Sequence, residues 1–120
     1  NKARTAFEDL EKTATGELKA ESIYYNGYFL NQEGNYKNSN EVIQKLASTY
    51  SNYRYWGAKG LIVMAKNYYG LSDLYQATYI LESVMKNFSE YDDVVQEAKI
   101  ELQKIKQEAK KTNESVIQEN

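Results

Sequence analysis

Histidine, cysteine and proline are all missing from this chain of 120 residues. Without His, the commonest general base and the commonest metal ligand are gone. Without Cys there is no disulfide, no thiol nucleophile and no thiolate zinc site. Neither a Ser-His-Asp nor a Cys-His arrangement can then be assembled, and no glycine-rich phosphate loop is present. These absences point away from an enzyme and away from a metal or other cofactor. An excess of one charge is also lacking: 15 basic residues stand against 17 acidic ones, a net of -2, whereas a nucleic-acid binder normally carries a strong basic surplus. The longest apolar run, Leu61 to Ala65, falls far short of the roughly 20 residues that span a bilayer. With no proline, nothing forces a helix to kink or stop. The chain opens on Asn1 with no basic or apolar leader, which suits the C-terminal part of a longer protein whose upstream portion carried any signal peptide.

Tyrosine is abundant, with 12 copies against 3 Phe and 1 Trp. Such a chain either packs many half-buried rings or shows a sticky surface, because the phenol is apolar at one end and seeks a hydrogen bond at the other. The sequence also repeats itself. Residues 20–53 lie over residues 58–91 without gaps, at an offset of 38. Ile23, Gly27, Leu30, Ser39, Ile43 and Leu46 in the first segment match Leu61, Ala65, Tyr68, Ala77, Leu81 and Val84 in the second, with steps of 4, 3, 9, 4 and 3. Steps of 4 and 3 stay on one helical face, and the step of 9 crosses a turn. Each unit therefore reads as two amphipathic helices joined by a short loop, Glu33-Gly34-Asn35 or Leu71-Ser72-Asp73, with Asn35 and Asp73 as N-caps. The stripe of the second helix runs Tyr36, Ser39, Ile43, Leu46, Tyr50 in one unit and Leu74, Ala77, Leu81, Val84, Phe88 in the other. Gly27 inside a helix costs roughly 1 kcal/mol against Ala, so a close helix–helix approach is expected there.

Both ends echo the unit. Ala3, Phe7 and Leu10 repeat the second-helix spacing, and Val95, Ala98, Leu102, Ile105 and Ala109 mark one more amphipathic helix. A final helix rich in Glu, Lys and Gln is what a stack of hairpins needs as a cap. The spacing predicts helices over 2–13, 17–33, 36–51, 55–71, 74–88 and 91–111, with 112–120 as a tail. As a domain, 1–120 is one unit: a half repeat (1–13), two repeats (17–51 and 55–88), a capping helix (91–111) and the tail (112–120).

The paired spacings Ile23-Gly27-Leu30-Ser39-Ile43-Leu46 and Leu61-Ala65-Tyr68-Ala77-Leu81-Val84 resemble the tetratricopeptide repeat. The resemblance implies an all-α fold, a right-handed superhelical stack of antiparallel helix hairpins, or α-solenoid. It also implies a scaffold that binds a peptide or protein segment in a concave groove lined by the first helices. The chain departs from the family in its period of 38 against about 34, which places extra residues around Ser51–Tyr55, and in having Ser51 and Ser89 where the family has Pro. Longer joints followed by tyrosine-rich helices look like bacterial cell-envelope members, which implies a periplasmic or outer-membrane-associated location.

Carried over from the family, the groove positions are Glu21, Tyr24, Tyr28 and Asn31 in one repeat and Lys59, Ile62, Lys66 and Tyr69 in the next. The capping helix, aligned through Ala98, Leu102 and Ile105, adds Gln96, Lys99, Gln103 and Lys106. On that alignment Lys59, Lys66, Lys99 and Lys106 share one wall beside Tyr24, Tyr28 and Tyr69, suited to an acidic segment or a C-terminal carboxylate; the plain alternative is a solvated lysine face. The clamp with which chaperone-binding members hold acidic C-termini is not matched, because its places hold Tyr24, Tyr28, Val63, Gln96 and Ile100. Two other readings stand beside the scaffold: a glycan- or small-ligand-binding envelope protein on the same frame, and a purely structural cap. An N-terminal edge at Ala3–Leu10 would also offer a surface for self-association.

Overall fold

Six helices form where the spacing places them: α1 (Lys2–Thr13), α2 (Gly16–Gln32), α3 (Tyr36–Ser48), α4 (Arg54–Gly70), α5 (Leu74–Asn87) and α6 (Asp92–Glu119). The computed structural model describes residues 2–119, with side chains as far as residue 112. Among these residues there is no strand. The helices end for identifiable reasons. Gly34 takes φ 80° and Ser72 φ 65°, and these residues occupy the same place in the two repeats. The left-handed residue lets the next N–H reach back to a carbonyl of the last turn, Asn35 to Leu30 at 2.9 Å and Asp73 to Tyr68 at 2.8 Å. Asp73 then caps α5, accepting from the Gln76 N–H at 3.1 Å. Asn35 is the N-cap residue of α3, but its side chain makes no capping bond.

Two boundaries differ from the sequence expectation by more than one residue. Helix α3 stops at Ser48, leaving Thr49–Tyr53 as the joint between repeats. Helix α6 does not give way to a tail at Thr112 but runs on to Glu119, because the stretch from Asp92 has neither Gly nor Pro and is dominated by good helix formers. Asn120 lies outside the described residues.

Three-residue turns make α2–α3 and α4–α5 hairpins. Helix α1 packs on α2, α2 on α3 and α4, α3 on α4, α4 on α5 and α6, and α5 on α6. No Cα atom of α3 comes within 8 Å of one of α5. Helix α4 is thus enclosed by four neighbours, and it buries Ala58, Gly60, Ile62, Val63, Met64, Ala65 and Asn67 around most of its circumference. One apolar cluster holds Ile23, Ile43, Leu46 and Val63. A second holds Ile62, Leu81, Val84, Val94 and Leu102. Leu61, Tyr68 and Ile80 pack against both and join them. Leu74, assigned by spacing to the buried stripe, is instead 41% exposed, because it opens α5 at the rim of the turn.

The close approach expected at Gly27 is present. A Cβ there would overlap the end of the buried Ile43 side chain, and the Gly27 carbonyl accepts from Ser39 Oγ at 2.6 Å. Gly60 serves the other side of the same residue, since its Cβ would lie 2.8 Å from Leu46 Cδ1 and 3.1 Å from Ile43 Cγ2. A polar network sits beside this contact. Fully buried Asn67 donates to Ser39 Oγ and to Asn40 Oδ1, both at 2.8 Å, and accepts from Asn31 Nδ2 at 2.9 Å. Every polar atom of that amide is paired, so its burial carries no desolvation debt.

Candidate functional site

Helices α2, α4 and α6 lie side by side, and their shared surface holds most of the candidate residues. On α2, Glu21, Tyr28 and Asn31 are half-buried, while Tyr24 is only 5% exposed and belongs to the core. On α4, Lys59, Lys66 and Tyr69 are half-buried, and Ile62 is fully buried. Tyr24 and Ile62 are therefore packing residues rather than groove residues. In a helix enclosed by several neighbours, the position that faces a groove in an outer helix is covered. Burial pushes the Tyr24 phenol well above its ordinary range, and the nearby Glu97 charge pushes it further, so that ring stays neutral.

Helix α6 overturns the expected lysine wall. Lys59 Nζ donates to Glu97 Oε2 at 2.9 Å, and Lys66 pairs with Glu101 at 3.7 Å. Tyr55 Oη donates to Asp93 Oδ2 at 2.6 Å, and Tyr69 Oη donates to Glu108. The face of α6 turned to α4 is thus acidic: Asp93, Glu97, Glu101 and Glu108. Lys106 lies on another face, 4.0 Å from Glu82 of α5, and exposed Lys99, two turns before it, shares that face. Lys99 and Lys106 do not join Lys59 and Lys66.

The physical reason is a register difference of one residue. The residues of α6 that are buried, Val94, Ala98, Leu102 and Ile105, stand 38 residues after Trp56, Gly60, Met64 and Asn67. Those four form the face that α4 turns back toward the preceding hairpin, as Gly60 against Leu46 and Asn67 against Ser39 show. Alignment through Ala98, Leu102 and Ile105 had matched them to the face that α4 turns toward its own partner helix, α5. The described part of α6 has no such partner, so its single apolar stripe is the backward one. Carrying the offset of 38 from Lys59 to Glu97 was the available signal. Asn67 had none, since a buried amide reads like a surface one.

The charges on this wall are tied down. Burial alone pushes the Lys59 ammonium down, but its hydrogen bond to Glu97 and the Glu97 charge outweigh this and hold it above the ordinary value. Its ammonium also lies 5.5 Å from the centre of the Tyr24 ring. Hydrogen bonding from Tyr55, the leading cause, holds the Asp93 carboxyl below its usual range. The wall counts four carboxylates of α6 against Lys59, Lys66 and Lys104, the last 3.6 Å from Glu101. It is mixed and slightly acidic.

Beside it runs a chain of aromatic rings. Phe7 stacks on Tyr25 at 4.5 Å, Tyr25 meets Tyr24 at 4.9 Å, Tyr24 meets Trp56 at 5.5 Å, Trp56 meets Tyr55 at 5.2 Å, and Tyr55 meets Tyr91 at 5.3 Å. These contacts tie α1, α2, α4 and the residue that precedes α6 together. Trp56 is accordingly joint packing, with Nε1 donating to Glu17 at 3.4 Å. On the N-terminal helix no residue is fully buried: Phe7, against Tyr25, and Leu10 are half-buried, while Lys2, Ala3, Ala6, Glu8, Asp9 and Lys12 are among its exposed residues.

Among the described residues no helix is long and apolar enough to cross a membrane, and no group of three or more His, Cys, Asp or Glu side chains is placed to hold a metal ion. Comparison with known proteins returns no match: no family model, no curated protein and no solved structure is similar to the chain.

Proposed function

We propose that this chain is a protein-interaction module, a short solenoid of the tetratricopeptide type that binds a polypeptide segment along the wall of α2, α4 and α6. One observation carries the reading: each first helix packs on the next, α2 on α4 and α4 on α6, with Lys59 on Glu97 and Tyr55 on Asp93 across the second junction, so successive first helices form a continuous lined surface. The packing pattern supports the solenoid, since first helices pack on the next first helices while the backbones of α3 and α5 stay more than 8 Å apart. The ligand suggested by the wall differs from the acidic one expected of a lysine groove. A segment bearing Lys or Arg can compete with Lys59 and Lys66 for Glu97 and Glu101, whereas an acidic segment meets carboxylates. A further observation bears on the capping reading. The outward positions of α6, Gln96, Lys99, Gln103 and Lys106, are exposed and polar, so α6 is suited to end the stack while its acidic face completes the wall.

The test is a peptide array probed with the native chain and with Glu97→Lys/Glu101→Lys. Retained peptides rich in Lys and Arg, lost with the double variant, are the expected result. Retention of acidic peptides, or an unchanged profile in the variant, sinks the proposal.

A further inference from the structure

Three helical glycines are explained by a neighbour: a Cβ on Gly27 would overlap Ile43, one on Gly60 would crowd Leu46, and one on Gly70 would overlap Tyr36. Gly57, early in α4, is different, because nothing lies within 4 Å of where its Cβ would stand. Glycine weakens a helix relative to alanine, and no packing neighbour accounts for it here. Gly57 instead lines a cleft of about 250 Å³ that opens over α4 where α3 and α5 stay apart. Leu46, Leu61, Met64 and Phe88 give it hydrocarbon walls, and the polar residues in its lining are Ser51 and Arg54. The Arg54 guanidinium lies over the Phe88 ring, 4.6 Å from its centre. Its Nε donates to Glu90 Oε2 at 3.0 Å and its Nη2 to the Asn87 carbonyl at 2.9 Å. A guanidinium is a fork of N–H donors, and these two bonds do not exhaust it.

We propose that this cleft binds an aliphatic carboxylate, with its chain between α3 and α4 and its head group on Arg54. An apolar cleft with one placed polar group is the ordinary form of a small-molecule site. Arg54 is the one charged residue in the lining among the described residues, and a cation of fork geometry selects a carboxylate. It opens α4, whose N-terminal dipole also favours an anion. Glu90 shares the guanidinium but is exposed, so its charge is screened by solvent. Size sets the chain length: benzene fills a cavity of about 150 Å³, so a cleft of about 250 Å³ takes a chain of about eight carbons. Met64, an adaptable thioether, can repack around such a chain. The cleft lies on another face of α4 from Lys59 and Lys66, and the inference does not rest on the reading of that wall.

The experiment is an amide NMR titration of the full chain with octanoate, kept below its micelle-forming concentration, with pentanoate and octanol as comparisons. Saturating shifts at Ala47, Gly57 and Leu61 are expected with octanoate. Affinity should rise about fourfold for each methylene added between pentanoate and octanoate. Octanol should bind about tenfold more weakly, for loss of a charge-assisted hydrogen bond, and Arg54→Gln should bring octanol and octanoate to the same affinity. Gly57→Leu puts a side chain into the cleft and raises helix propensity, so it should stay folded and lose the shifts. If that variant fails to fold, Ala47→Leu fills the cleft from the exposed side of α3. No saturating shift with octanoate, no dependence on chain length, octanol binding as tightly as octanoate, a preference for octanoate that survives Arg54→Gln, or shifts that persist in a folded filled variant would each overturn the proposal.

Discussion

At the residue scale the backbone of the turns gives the cleanest test. Gly34 has positive φ and no heavy atom within 4 Å of where a Cβ would stand. Gly34→Ala is therefore expected to destabilise by about 1 kcal/mol through backbone strain alone, read as a lower urea midpoint. Ser72 already bears that strain at the matching position, so Ser72→Gly should be neutral to stabilising by up to about 1 kcal/mol. Gly27→Ala is different in kind. It crowds Ile43, which is buried and held from its other side at Gly60, and a loss of about 1–3 kcal/mol is expected. Glu11 supplies the pH test. Burial works to raise its carboxyl, but hydrogen bonds from Asn26 and Lys45 and the charges of Lys45 and Lys19 outweigh this and hold it below the usual carboxylate range. The depressed folded value means that its contribution is present above the unfolded value and is lost as pH falls through the folded one. Glu11→Gln should flatten that part of the acid limb in urea midpoints measured across it. An identical limb in the variant would show that Glu11 is not held as described.

At the element scale, α6 decides the most. Its register predicts opposite results at two isoleucines five residues apart. Ile105 is 4% exposed against the second cluster, and Ile105→Ala should cost about 2–5 kcal/mol. Ile100 is 52% exposed, and Ile100→Ala should change stability by no more than about 0.5 kcal/mol. Denaturant melts of both variants check the register, and equal losses would refute it. The ion pairs that line α6 and α4 contribute less. Lys59 and Glu97 are partly exposed, at 20% and 32% of their side chains, so breaking the pair should cost under about 1 kcal/mol. Helix α6 is held mainly by its apolar stripe, and its carboxylates shape the wall.

At the scale of the whole molecule, α4 couples everything. It belongs to both apolar clusters, and Leu61, Tyr68 and Ile80 bridge them. Leu81→Ala in one cluster and Ile43→Ala in the other should each cost about 2–5 kcal/mol and shift one shared calorimetric transition. Two separate transitions would show that the hairpins unfold independently. The molecule is elongated, 56 × 33 × 21 Å, partly because a helix of 28 residues is about 42 Å long.

The hairpins, their turns, the close approach at Gly27 and the burial of Ile43, Leu46, Leu81 and Val84 were determined by the sequence itself. Each depends on spacing within one or two helices, and periodicity records that. The wall was only half legible. Which face of α6 meets α4 depends on which partner helix is present, and one apolar stripe looks the same whether it faces backward or forward. Tyr24 is covered by Trp56 and its neighbours on α4, Ile62 lies in a cluster with Val94 and Ala98 of α6, and Lys59 and Lys66 pair with Glu97 and Glu101, all 30 or more residues further along the chain. Tertiary structure alone decided these points. Burial and ion pairing are properties of neighbours, and neighbours distant in sequence leave no period to read.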